Sequence, residues 1–139
     1  MHVVLDTNTV ISGLLWHGPP RQILTLAREG KIRLFTTSAL LEELSDVLRR
    51  EKFAVRLALA NLTSAQLIIG YAALATRIEP SRIPPIVLAD PDDDAVLACA
   101  LAAKAQIIVS GDQHLLDLQR YEKIEIMRAA DFLNKSTAL

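Results

Sequence analysis

Four short apolar runs, "HVVLD" (2–6), "IRLFT" (32–36), "QIIVS" (106–110) and "IEIM" (124–127), are separated by stretches long enough to hold helices. This spacing is the strongest constraint on the fold. Strands joined through helices lie parallel, with the helices covering the sheet, and strands buried on both faces read as continuous apolar runs. The segment "PPRQILTLAREG" (19–30) starts on proline and ends on glycine, as a helix does. "SALLEELSDVLRR" (38–50) predicts a second helix, capped by Thr37 or Ser38. Further helices are expected at 8–15, 53–60, 64–76, 93–104, 113–118 and 129–135. The four prolines of "EPSRIPPIVLADP" (79–91) make that segment a loop or extended connection. The expected architecture is one α/β domain over residues 1–139. It has three layers, α/β/α, in the Rossmann-like manner, around a mostly parallel sheet of four to five strands.

Composition narrows the function. Fifteen Lys and Arg against sixteen Asp and Glu leave a net charge of −1, which excludes a protein that coats nucleic acid by charge alone. Local patches are still available, and Arg49, Arg50, Lys52 and Arg56 in "RREKFAVR" form the densest one. Such a cluster reads equally as a solvated helix end or as a phosphate-contacting patch. Cys99 is the only cysteine, so no intramolecular disulfide forms. No apolar run is long enough to span a bilayer, and the expected location is the cytoplasm.

The acids carry the chemistry. Ligands of an open parallel sheet bind beyond the carboxyl ends of its strands. Asp6 ends the first run, and Asp112 follows "IIVS" by two residues. On the helix of 38–50, Leu40, Leu41, Leu44, Val47 and Leu48 define an apolar face; Glu43 lies at its margin and Glu42 roughly opposite. On the helix starting near 93, Val96, Leu97, Ala100 and Leu101 face inward, and Asp93 is the more inward acid while Asp94 sits about 100° round. N-capping accounts for one acid of "DPDDD" but not for four. Asp6, Glu43, Asp93 and Asp112 therefore come from four elements, and their repulsion is answered by a hard divalent cation, Mg²⁺ or Mn²⁺. The spacing of a calcium loop is absent, and one Cys with scattered His2, His17 and His114 offers no zinc motif.

With these residues in view, the chain resembles the PIN-domain ribonucleases, in the branch that includes the VapC-like toxins of toxin–antitoxin pairs. The resemblance runs in order through "VVLDTNTVISGLL" (3–15), "TTSALLEELSDVLRREKF" (36–53) and "DPDDDAVLACALAAKAQIIVSGDQHLL" (90–116), then a closing strand and helix. It implies that Asp6, Glu43, Asp93 and Asp112 form an acidic quartet, with Asp94 as the alternate to Asp93, and that Asn8 and Ser110 orient it. The implied reaction is metal-dependent cleavage of single-stranded or structured RNA by metal-activated water. The implied partners are the RNA, a cognate antitoxin, and further copies of the chain in a homodimer or higher oligomer. Helices 53–60 and 64–76 are the candidate pairing surface, and Arg49, Arg50, Lys52 and Arg56 the candidate RNA contacts. Two rivals differ in class. One is a non-catalytic PIN-like interaction module. The other is a haloacid-dehalogenase-like phosphatase, disfavoured because Asn8 stands where a second aspartate is needed and the downstream lysine is not evident.

Overall fold

The computed structural model describes residues 1–87 and 90–137. Strand β1 (His2–Leu5) leads into α1 (Thr7–Leu15) and α2 (Pro19–Arg28), then β2 (Arg33–Thr36) and α3 (Ser38–Leu48). A short 3₁₀ turn at Glu51–Phe53 precedes α4 (Ala54–Leu59), α5 (Ser64–Leu74) and β3 (Thr76–Arg77). After the proline-rich connection come α6 (Pro91–Ala102), β4 (Ile107–Val109), α7 (Gln113–Leu118), β5 (Arg120–Tyr121), β6 (Ile124–Met127) and α8 (Ala129–Thr137). Of the expected 79–91 connection, residues 88 and 89 lie outside the described residues.

Among the described residues the strands form one six-stranded sheet in the order β3-β2-β1-β4-β6-β5. All pairings are parallel except β5 with β6. Two strands exceed the sequence expectation, and both are two-residue edge strands. β3 begins where the helix of 64–76 was expected to end: Ala75 leaves α5 in extended conformation, and Thr76 pairs beside Phe35. β5 forms a tight ribbon with β6, with Gln119 (φ 59°) and Glu122 (φ 54°) both left-handed. Neither residue is a glycine or asparagine, so the usual sequence mark of such a turn is missing.

Alternation along the strands splits the core in two. Val3, Leu5, Leu34, Ile107 and Val109 face α1, α2, α3, α5 and α8, while Val4, Phe35, Ile108 and Ile126 face chiefly α6 and α7. The chain runs outward from β1 through β2 to β3, then returns to β4 on the other side of β1. The strand order thus reverses between β1 and β4, and a crevice opens there at their carboxyl ends. Among the described residues no single helix is long and apolar enough to cross a membrane.

A candidate metal centre at the carboxyl edge of the sheet

Three aspartates at the carboxyl edge cap the helices that follow them. Asp6 ends β1 and caps α1, its Oδ1 accepting from the Thr9 amide at 2.9 Å. Asp112 caps α7 through the His114 amide at 2.8 Å, and Asp90 caps α6 through the Asp92 amide at 3.1 Å. An N-cap carboxylate sits where unpaired amides and the helix dipole favour negative charge, which offsets part of the cost of crowding acids. Ser110 ties two of them together. Its hydroxyl donates to Asp6 Oδ2 and accepts from the Asp112 amide at 2.9 Å.

The expected helix start at 93 moves to Pro91, because Asp90 is the cap and proline suits the first helical position. Asp93 then falls in the first turn and is buried. Among the described residues its Oδ2 has no hydrogen-bond partner. Asp94 turns away, accepting from the Ile86 and Val87 amides, the latter at 2.8 Å, and so fastens the proline-rich connection to α6. Glu43, half-buried on α3, faces the same small cavity as Asp6, Thr7, Asn8, Asp90, Asp92, Asp93, Val96 and Asp112. Its volume is about 50 Å³. Asp90, Asp93 and Asp112 each bring one carboxylate oxygen within 4.8 Å of the others, a separation that oxygens around one cation adopt. These three residues can hold a metal ion. The oxygen-only donor set and the orphaned Asp93 Oδ2 fit a hard divalent cation.

A family model described as the PIN domain matches residues 2–114. The chain belongs to the PIN-domain family. PIN domains are typically metal-dependent nucleases. No curated protein matches this PIN domain. Among solved structures, the T. brucei RRP44 PIN domain is 15% identical, with a TM-score of 0.47; the match covers 98% of this chain and 80% of that one.

The electrostatics of this PIN domain follow from its crowding. Burial, then the charges of Asp112, Asp90, Asp6 and Glu43, pushes Asp93 up to about 7. Glu43 is also raised, by burial first and further by Asp92, Asp90 and Asp6, with a hydrogen bond to the Thr7 side chain working in the opposite direction. Asp90 is the acid that sequence reasoning did not single out. Its signal was the Asp-Pro pair, which marks a helix start and sets the capping carboxylate at the mouth of the crevice.

The basic cluster lies elsewhere. Arg49 caps the carboxyl end of α3, six residues or about 9 Å along the helix from Glu43. It pairs with Asp46 at 3.0 Å. Lys52 lies over the Phe53 ring. Arg56 donates to the Leu15 carbonyl at 2.9 Å and sits over Trp16, at the end of α1 remote from Asp6, while Arg50 is exposed.

Proposed function

We propose that this PIN domain is a Mg²⁺- or Mn²⁺-dependent endoribonuclease, acting in the cytoplasm as the toxin of a toxin–antitoxin pair. The single observation that carries the nuclease reading is the buried Asp93 Oδ2, unpartnered among the described residues and grouped with Asp90 and Asp112. A divalent cation held there would supply Lewis-acid stabilisation of a phosphodiester and a water of lowered pKa. Asp93 and Asp112, with Asp90, are its holders. Asp6, fixed by Thr9 and Ser110, keeps both oxygens directed, and each oxygen retains a lone pair for a further contact. Glu43, with its raised pKa, is suited to accept a proton at its carboxylate. Asn8 lines the same cavity, and its proposed role is to orient the acids once cation and substrate are bound.

The test is cleavage of a single-stranded RNA oligonucleotide with Mn²⁺ or Mg²⁺, with EDTA, and beside a phosphomonoester. RNA should be cut only when the cation is present, and the monoester left intact. Monoester hydrolysis with intact RNA would make the protein a phosphatase, and inertness toward both would make it an interaction module.

The toxin reading draws support from an uncovered apolar surface. Val55 and Leu59 on α4 and Ile69 on α5 are 71%, 77% and 70% exposed. Large apolar side chains exposed on two consecutive helices suit an association surface. We assign this one to a second copy of the chain and to the antitoxin, and light scattering at micromolar concentration should return a dimer or larger. A strictly monomeric species contradicts the self-association.

Arg49, Arg50, Lys52 and Arg56 are proposed as contacts for RNA extending beyond the cleavage point. Replacing Arg49 and Lys52 together with Ala should weaken RNA binding and flatten its salt dependence while leaving Mn²⁺ affinity unchanged. An unchanged salt slope removes the cluster from the RNA path.

A further inference from the structure

The acidic cavity is too small for anything beyond an ion and a few waters, so the body of a polynucleotide must rest on neighbouring surface. One larger cleft, about 220 Å³, adjoins it and shares Asn8. Thr9, Ser12, Ser110, Gly111 and Arg128 line it, and among the described residues no acid does. The charged side chain lining this cleft is a cation, whereas those lining the smaller cavity are carboxylates. We propose that this cleft receives the nucleotide next to the scissile bond and that Arg128 is the positioning residue that anchors its phosphate.

Strand register supports the assignment. β1, β4 and β6 are parallel neighbours, with Leu5 beside Val109 and Val109 beside Met127. The residues that follow them at the carboxyl edge are Asp6, Ser110 and Arg128. The Asp6 amide bonds the Val109 carbonyl at 3.2 Å, and the Ser110 amide the Met127 carbonyl at 3.0 Å, so the row continues past the strand ends. At one strand spacing per step, the backbone of Arg128 is about 10 Å from that of Asp6, with the Ser110 hydroxyl between them. Residues bearing an acid, a hydroxyl and a guanidinium thus follow the carboxyl ends of three adjacent strands, beside the switch point of the sheet.

Arg128 is also available. It is exposed, and among the described residues no carboxylate forms an ion pair with it. Its Nη2 lies 3.5 Å from Gln113 Oε1, while Gln113 Nε2 donates to Asp117 at 2.6 Å. Gln113 follows the pocket acid Asp112 directly. Asp117 thus holds Gln113, whose carbonyl oxygen faces the guanidinium from the same helix start that holds one of the acids. A planar guanidinium grips phosphate with two parallel donors, which a lysine ammonium does not reproduce.

The proposal rests on the nuclease reading, and its test separates the two. Wild type, Arg128→Ala and Arg128→Lys are compared in Mn²⁺-dependent cleavage of a single-stranded RNA oligonucleotide, in RNA binding against salt, and in Mn²⁺ titration. Arg128→Ala should raise KM about tenfold with kcat within about threefold, the pattern of lost ground-state binding. The salt slope of RNA binding should fall by about one, Mn²⁺ affinity should hold, and Arg128→Lys should restore part of the KM. An active wild type whose KM and salt slope are unmoved in Arg128→Ala overturns the anchor alone. A wild type that neither cleaves nor binds RNA overturns the nuclease reading and the anchor with it.

Discussion

Asp93→Asn should make the metal-free protein more stable at pH 8 while abolishing metal-dependent cleavage. In the folded chain Asp93 titrates at about 7 against an ordinary 3.8, so the native state keeps a proton that the unfolded chain releases. Stability of the metal-free protein is therefore unaffected by this group below about pH 4 and falls as pH rises toward and through 7. The difference between the two values corresponds to a ceiling of about 4 kcal/mol. Part is returned because asparagine brings a buried amide that needs partners, which leaves an expected gain of roughly 1–3 kcal/mol. Thermal unfolding in EDTA checks this. The gap between variant and wild type should widen from pH 5 to pH 8, by several degrees at this chain length. Parallel pH curves for the two proteins would mean that Asp93 carries no unrelieved charge.

Asp6→Asn should lose cleavage by about 100-fold or more, the scale of removing one electrostatic group from a reacting site, with the fold retained. Asparagine caps a helix about as well as aspartate, so the bond from the Thr9 amide survives. Ser110 currently donates to Asp6 and accepts from Asp112, and a hydroxyl has a second lone pair with which to receive the new amide. Circular dichroism and the unfolding midpoint in EDTA should stay close to wild type. Normal cleavage by a folded Asp6→Asn would remove Asp6 from the chemistry.

Much of this arrangement was readable in the chain because it follows from short-range rules. β1 and β4 are buried on both faces and therefore look like β-branched apolar runs. Glu43 and Asp93 stand at the helical angles that their apolar neighbours Leu44, Leu48, Val96 and Leu97 fix. The structure turns Asp94 toward the Ile86 and Val87 amides, contacts that come from the connecting loop and are not visible in a helical angle. Other features depend on what meets across the sheet. Asp90 looked like one acid among four until Pro91 fixed the helix start. Nothing local separates Arg128 from Arg120 or Arg77. Its interest arises from the β4–β6 register, which sets it beside Ser110, and register between strands whose paired residues lie 18 apart is not written in either one. The basic run at 49–56 shows the reverse case. Its density is plain in the sequence, whereas its remoteness from the acids appears only when α1 and α3 are seen to start at the carboxyl edge and run away from it.

The central claim is that the carboxylates at this edge form a divalent-metal centre, and calorimetric titration of the metal-free protein with Mn²⁺ tests it most directly. Wild type should bind saturably at pH 8, more weakly at pH 6 as Asp93 takes up its proton, and with an upward shift in unfolding midpoint as Mn²⁺ is raised. Asp93→Asn should lose that binding. Absence of saturable binding to wild type at pH 8, or equal affinity in Asp93→Asn, would contradict the account.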